Sequence, residues 1–280
     1  MRTEANKKPA PRAKAETQIM KRINIKQNQT LLANGWMCGA LAGLALLLAA
    51  GSPPPAQGSN VRNPRILPPD SSPYGASYEE WAARFWQWSL AFPATADPAN
   101  GTAPASAGQS GKVWYLASVR GSATVTREIT VPDGTALFFP VLSVFFNNAD
   151  CPEPTDFSVD ELLEQANGAW DFAASVTTCT IDGVSVAGLE DPQTTPYRLQ
   201  TGGFPATFAD HDNLMAAAYG VPCFPDGGTA DPTVVVGAFL LVAPLPAGQH
   251  TIHMVGAAGP VEDPFFVKDI TYVITVTQRP

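Results

Sequence analysis

The residues that could bind a metal ion in this chain centre on three histidines. His211 lies between Asp210 and Asp212, and carboxylate and imidazole groups together are common ligands of divalent cations. His250 and His253 lie three residues apart in a predicted strand, so they point to opposite faces and cannot bind one ion together. The sequence therefore offers one candidate metal site, formed by Asp210, His211 and Asp212 with His253. The alternative is that the histidines are simply packed or exposed.

Catalytic motifs are absent from the sequence. It contains no nucleophile elbow, zinc-protease motif, phosphate-binding loop or dinucleotide fingerprint. A Ser-His-Asp triad assembles only in the fold, because its members are distant in sequence. An extracytoplasmic hydrolase with a site near His211, His250 or His253 therefore stays an alternative.

Three tryptophans of one segment could bind a ligand. Trp81, Trp86 and Trp88 could form a stacking platform for sugar rings. The competing interpretation is a structural one, because aromatic residues at helical spacing usually pack in a core, where each ring buries about 150–250 Å². We expect the packing role, with glycan binding as the functional alternative.

Cysteines supply a possible disulfide bond. Cys38 lies in an apolar segment that we expect to be removed, which leaves Cys151, Cys179 and Cys223. In an oxidising compartment the sequence predicts one bridge and one free thiol, with Cys151–Cys179 favoured over the other pairings. None of the three has the spacing of a zinc site.

One helix should position the tryptophans. Ser77 followed by Glu80 forms a capping box, and Pro93 ends the helical segment. Trp81, Phe85 and Trp88 share one helical face, which we expect to lie on a sheet.

The rest of the chain from Lys112 alternates short apolar segments with turns. Pro132-Asp133-Gly134, Asp182-Gly183 and Pro246-Ala247-Gly248 mark turns, and Ser158 begins a second capped helix. Many strands at short intervals without βαβ units predict a mainly β fold, an antiparallel, jelly-roll-like β-sandwich with two or three peripheral helices.

An apolar segment near the start indicates export. Residues 36–50 are apolar, follow a basic stretch and precede a Pro-rich break, which is the layout of a signal peptide. The segment has about 15 residues, whereas a membrane-spanning helix needs about 20. We expect residues 1–51 to be the n-region and signal peptide, with Met20 as an alternative start. The protein should then be secreted or periplasmic, with no membrane span after cleavage.

The domain boundaries follow from composition. Residues 52–73 are rich in Pro, Ser, Asn and Gly and should form a disordered linker. Residues 74–280 then form a single sandwich domain.

Charge excludes nucleic acid as a partner. The whole chain has a formal net charge of −8, but residues 1–51 carry 8 basic and 2 acidic side chains. The remainder carries 9 basic and 23 acidic side chains, a net charge of −14. Such a surface repels nucleic acid and anionic lipid.

Several motifs of the exported part resemble those of a family of uncharacterised bacterial exported proteins. The first is Tyr-Gly-Ala-Ser-Tyr at residues 74–78, followed by Glu80-Trp81 and by Trp-Gln-Trp at residues 86–88. Further similar stretches are residues 111–116, 131–140, 245–253 and 269–276, the third of which reads Leu-Pro-Ala-Gly-Gln-His-Thr-Ile-His.

The resemblance implies a secreted or periplasmic domain and no particular activity. Members of that family carry a cysteine where this chain has Glu128, so a disulfide at that place is not expected here. From the sequence we therefore expect a binding or structural module, with a glycan or envelope partner. No cofactor is expected apart from the divalent ion considered above.

Overall fold

The structure is a computed structural model, and it describes residues 65–149, 155–219 and 224–277. The predicted signal peptide lies outside these residues. The described helices of more than one turn are α1 (Tyr78–Leu90), α2 (Val159–Ala173) and α3 (Leu214–Tyr219). The strands of the described part are β1 (Val113–Tyr115), β2 (Ala123–Pro132), β3 (Ala136–Asn147), β4 (Ala174–Ile181), β5 (Val184–Ser185), β6 (Arg198–Gln200), β7 (Phe204–Thr207), β8 (Thr229–Val242), β9 (Gly248–Ala258) and β10 (Phe266–Thr277).

These strands form two packed sheets, which confirms the predicted mainly β, sandwich-like class. Sheet A has the order β1-β3-β8-β6, and β7 also pairs with β8. Sheet B has the order β2-β10-β9-β4-β5. No described helix is long and apolar enough to span a membrane.

The predicted antiparallel pairing holds for most neighbouring strands, but each sheet also contains one parallel pair. β1 runs parallel to β3, and β2 runs parallel to β10. The turn at Pro132-Asp133-Gly134 connects the two sheets. It carries the chain from β2 in sheet B to β3 in sheet A, so consecutive strands do not form a hairpin across it. The Asp182-Gly183 turn, in contrast, joins the antiparallel pair β4 and β5 as predicted.

The main core lies between the two sheets. Alternate residues of β10 point into it, among them Ile270, Tyr272 and Ile274, which are at most 1% exposed. Helix α2 contributes Leu162 and Trp170 to the same core. Its amino end has the predicted capping box between Ser158 and Glu161.

A second core covers the other face of sheet A. Helix α1 packs there, and Phe85 lies against Phe138 and Phe239 of the two central strands. β3 and β8 are therefore buried on both faces, which explains why their sequences are almost continuously apolar. The prediction that α1 covers a sheet is confirmed, as is its Ser77–Glu80 capping box.

Residues 65–73, which the sequence assigned to the linker, belong to the domain. The Leu67 N–H donates to the Leu241 carbonyl, and the Ala243 N–H donates to the Arg65 carbonyl. This part of the chain therefore pairs with the end of β8, where Ile66 also forms a β-bridge with Val242.

Candidate functional site

The two histidines of β9 have separate partners. His250 Nδ1 lies 2.8 Å from Asp182 Oδ2, and its Nε2 lies 2.9 Å from the Pro246 carbonyl oxygen. His253 Nε2 lies 2.8 Å from Asp269 Oδ1. Each imidazole is thus paired with a carboxylate of a neighbouring strand or turn, as expected for two side chains on opposite faces.

His211 is paired within its own loop. Its Nδ1 lies 2.6 Å from Asp210 Oδ1, and its side chain is 68% exposed. Asp212 Oδ2 accepts a hydrogen bond from the Thr95 N–H, and the Asp212 carbonyl accepts one from the Ala94 N–H. Asp212 therefore fixes the loop that follows α1.

Asn213 caps α3. Its side-chain oxygen accepts the N–H groups of Met215 and Ala216. Asn213 is 1% exposed and also donates to the Phe224 carbonyl. The cap thus joins the helix to the start of the chain segment that leads into β8.

The predicted metal site is not assembled in the described part of the chain. Within residues 65–149, 155–219 and 224–277, no group of three or more His, Cys, Asp or Glu side chains could hold an ion. The structure brings Asp210 together with His211, but His253 has Asp269 as its partner. The hydrolase alternative near these histidines gains no support from their geometry.

Cys179 is a free thiol on the core face of β4. It is 3% exposed, and burial raises its pKa to about 12 although Lys268 acts in the opposite direction. The expected Cys151–Cys179 bridge is therefore not formed in this structure. Cys151 and Cys223 lie outside the described residues, so a bridge between those two stays a prediction.

Thiol labelling tests this prediction. We expect the unreduced, denatured mature protein, which lacks Cys38, to show one reactive thiol, at Cys179, and the native mature protein to show none, because burial and a raised pKa both suppress thiolate reactivity. A Cys179→Ala variant should show no thiol in either state. Three thiols in the unreduced, denatured protein would contradict the Cys151–Cys223 bridge.

The tryptophans of α1 are used in packing. Trp81 is 8% exposed and its Nε1 donates to the Pro73 carbonyl, while the ring of Trp86 lies 4.5 Å from that of Phe145. Trp88 Nε1 donates to the Ala107 carbonyl. These contacts favour the packing role over a surface platform for sugars.

A groove of about 480 Å³ lies beside the start of α1. Buried side chains from α1 and β6 form its floor, two prolines form apolar walls, and three charged residues line it. The lining residues are Pro69, Asp70, Tyr78, Glu79, Pro196, Tyr197, Arg198 and Leu199. We call this the α1–β6 groove, and its size lies within the range of about 300–1,000 Å³ that is usual for ligand pockets.

The floor of the α1–β6 groove is fixed by hydrogen bonds. The Tyr78 hydroxyl donates to the Leu67 carbonyl over 2.6 Å and accepts the Leu241 N–H over 3.2 Å. Burial accordingly raises the pKa of Tyr78 well above its usual value. The same contacts attach residues 65–73, which include the groove residues Pro69 and Asp70, to sheet A.

The charged side chains of the α1–β6 groove differ in whether they already have a charged partner. Arg198 is engaged, because it forms an ion pair with Asp171 over 2.8 Å and donates to Asn167 Oδ1. Asp70 and Glu79 are exposed, and neither forms an ion pair with a described residue. The open wall of the groove therefore presents carboxylate oxygens, which accept hydrogen bonds.

A second, smaller pocket contains a buried lysine. It has a volume of about 60 Å³ and lies between the end of α1, the loop after β1, and strands β3 and β10. Lys268 is 2% exposed there, and its Nζ lies 3.1 Å from Ser118 Oγ and 2.5 Å from the Pro140 carbonyl oxygen. Ser143 and Trp86 also line this Lys268 pocket.

Sequence reasoning missed both the groove and the lysine. The groove combines residues that are more than one hundred positions apart, so no local pattern marks it. Lys268 did carry a signal, because it is in phase with Ile270, Tyr272 and Ile274 in a strand of period two. A charged residue on the buried face of a strand is unusual and could have been singled out.

Comparisons with known proteins do not place the chain in a family. No family model matches it, and no curated protein matches it. A solved structure titled "Structure of PbICP-C in complex with falcipain-2" contains a chain that aligns over 60% of this chain and 100% of its own length. The TM-score is 0.19 and the sequence identity is 14%, values too low to support an argument about fold or function.

Proposed function

We propose that the protein is an exported carbohydrate-binding module that holds its ligand in the α1–β6 groove. The observation that carries this proposal is a preformed groove with an apolar floor and two unengaged carboxylates, Asp70 and Glu79. Sugars present hydroxyl donors together with apolar C–H faces, and such a ligand fits this combination of surfaces. Export is supported by the apolar segment at residues 36–50.

The charges in and around the groove limit the kinds of sugar that can bind there. Arg198 is already paired with Asp171, so the groove offers acceptors but no free cation for an anionic sugar. The net charge of −14 that the sequence carries after residue 51 also disfavours the binding of an anionic sugar. We therefore propose neutral or amino sugars, with Asp70 and Glu79 accepting their O–H or N–H groups.

The α1–β6 groove is a different sugar site from the tryptophan platform considered in the sequence analysis. Trp81 and Trp86 pack against the protein, and Trp88 is tied to Ala107, so these rings are not free to stack on a sugar. Glu79 is close to them in sequence but exposed on the other side of α1. A glycan site beside the same helix thus requires no rearrangement of the core.

Binding measurements on two variants test the proposal. A glycan array on the purified mature protein should identify a neutral or amino sugar, and calorimetry should then give its affinity. Asp70→Asn and Glu79→Gln should each weaken binding by about tenfold or more, because a hydrogen bond to a charged group contributes about 1.5–3 kcal/mol.

The matched control is Glu164→Gln, an exposed carboxylate on α2 outside the groove, which should leave the affinity unchanged. Equal affinities for wild type and both groove variants would reject the groove as the site. The absence of any sugar ligand from the array would reject the proposed function itself.

A further inference from the structure

The Lys268 pocket is lined by a hydroxyl-bearing, an amine-bearing and an indole-bearing side chain, those of Ser118, Lys268 and Trp86. Ser118 Oγ and Lys268 Nζ are 3.1 Å apart, and Trp86 lines the same pocket. We propose that Ser118 and Lys268 form a nucleophile–base pair that accepts the acetyl group of small esters and hydrolyses it. This proposal concerns a different place in the molecule and does not rest on the α1–β6 groove.

Ser118 is held firmly although it lies in a loop. Arg127 donates through Nη1 to the carbonyls of both Ala117 and Ser118, over 2.7 and 3.0 Å. The Tyr272 hydroxyl donates to the Ala117 carbonyl as well, over 2.6 Å. The backbone on either side of the Ser118 side chain is therefore fixed from strands β2 and β10, as a nucleophile requires.

Lys268 is held by the irregular part of β3. The pairing of β3 with β8 shifts register between Pro140 and Leu142, which leaves the Pro140 carbonyl available to Lys268 Nζ. A neutral amine has two N–H donors and one lone pair. With one N–H donated to Pro140, the lone pair is free to accept the hydroxyl proton of Ser118.

The surroundings of Lys268 favour the neutral amine. Burial and the Arg127 guanidinium lower the pKa of Lys268 to about 7, whereas Cys179 on β4 acts to raise it. Arg120 is the other charged group of the pocket, and it is paired with Asp97 over 2.6 Å. No carboxylate of the described residues forms an ion pair with Lys268, so nothing in this part of the chain restores its charge.

The proposed reaction has two balanced steps. Ser118 Oγ attacks the ester carbonyl carbon while its proton moves to Lys268 Nζ, and the bond from this carbon to the alcohol oxygen then breaks. The alcohol leaves with the proton from Lys268, and the acetyl group stays on Ser118. A water molecule then attacks the acetyl carbon, with Lys268 accepting its proton and returning it to Ser118 Oγ, which releases acetic acid.

Trp86 supplies the remaining element, a donor for the oxyanion. Its side chain is 9% exposed, and its Nε1–H is buried without an acceptor among the described residues. A buried donor without a partner costs free energy unless something binds to it. In the proposed site this N–H stabilises the negative charge that develops on the ester carbonyl oxygen.

The size of the pocket sets the substrate class. A volume of about 60 Å³ accommodates an acetyl group, and the apolar walls formed by Phe85, Leu142 and Phe266 exclude a charged or extended acyl chain. The alcohol part of the ester would remain outside the pocket. We therefore assign acetate esters rather than peptides or long-chain lipids as the substrate class.

The test uses p-nitrophenyl acetate with the mature protein, followed by peptide mass spectrometry after an acid quench. We expect one acetyl group on Ser118 and nitrophenol release that rises with pH to a plateau above about pH 8, one unit beyond the pKa of about 7 that burial gives Lys268. Ser118→Ala should abolish this acetylation. Trp86→Phe keeps an aromatic ring but removes the N–H, and should slow the reaction by about 100-fold.

Ser185→Ala, which changes an exposed serine on β5, is the matched control and should react as wild type does. Circular dichroism and a urea unfolding curve should show that Ser118→Ala is folded. Lack of acetyl-Ser118 in wild type would overturn the proposal, and so would an unchanged rate in folded Ser118→Ala. Acetylation of Lys268 instead of Ser118 would also overturn it, because the amine would then be the nucleophile.

Discussion

Phe85→Ala lowers the free energy of unfolding by about 3–5 kcal/mol, the range measured when a buried aromatic side chain is truncated. Phe85 is 1% exposed and is the central ring of the second core. Its centroid lies between 5.6 and 6.5 Å from those of five other rings. These rings belong to Trp86, Trp88, Tyr115, Phe138 and Phe239.

The loss is large relative to the stability of a typical domain, about 5–15 kcal/mol. Urea unfolding followed by tryptophan fluorescence measures it directly, because Trp86 and Trp88 report on the same core. Trp81→Ala should also cost about 3–5 kcal/mol, since Trp81 is 8% exposed. Trp88 is only half-buried, so Trp88→Ala should cost less than either.

The control for this prediction is Phe172→Ala on α2. Phe172 is 66% exposed, so its removal leaves no cavity and should change the unfolding midpoint very little. Equal midpoints for Phe85→Ala and wild type would show that α1 does not form a core with sheet A. Equal losses in Phe85→Ala and Phe172→Ala would show that exposure does not determine the effect.

The helices were predictable because their signals are local. Ser77 with Glu80, and Ser158 with Glu161, each satisfy two backbone N–H groups within one turn, and both boxes form in the structure. The Asp182-Gly183 hairpin is local in the same sense, since Asp182 and Gly183 both adopt positive φ as a two-residue turn requires.

The parallel pairs were not predictable because they join distant segments. β2 pairs with β10 although more than 130 residues separate them, and no local pattern specifies that register. The turn after Pro132 has the chemistry of a hairpin but serves as a connection between sheets. Turn residues thus show where the chain reverses, whereas the choice of which strands pair depends on burial of the whole sheet.

The candidate sites show the same difference between local features, which the sequence predicts, and long-range contacts, which it does not. The histidines were visible in the sequence, but their partners Asp182 and Asp269 come from other strands or turns and satisfy each ring separately. The sequence indicates only that Glu79 lies in a helix. Its role in a groove depends on β6, which forms the opposite side. Proximity of this kind arises from tertiary packing and has no counterpart in local spacing.

Lys268 gives rise to the second large effect, which is a dependence of stability on pH. Its pKa is about 7 in the folded protein, compared with 10.5 for an unburied lysine. Between these values the unfolded chain binds the proton and the folded protein does not, so the free energy of unfolding rises with pH. Below pH 7 both states are protonated, and the lysine destabilises the fold by its full, constant amount.

The expected size follows from the width of this window. At most, one pH unit changes the free energy of unfolding by about 1.4 kcal/mol, so stability should increase by about 2 kcal/mol between pH 7 and pH 9. Cys179 opposes the increase at the upper end. Its pKa is raised from 9.0 to about 12, so the unfolded state loses the thiol proton first, and above about pH 9 this effect offsets the increase in stability that Lys268 causes.

Urea unfolding at several pH values between 7 and 9 tests this prediction. Lys268→Met fills the same space without an ionisable group, so its stability should be nearly independent of pH over that interval. Lys112→Met is the matched control, because Lys112 is exposed on the segment before β1 and should leave the wild-type increase intact. A wild-type profile that is flat, or that falls, between pH 7 and pH 9 would mean that Lys268 keeps its proton in the folded protein. The amine could then not act as the base for Ser118, so this measurement also decides whether the proposed acetyl transfer is chemically possible.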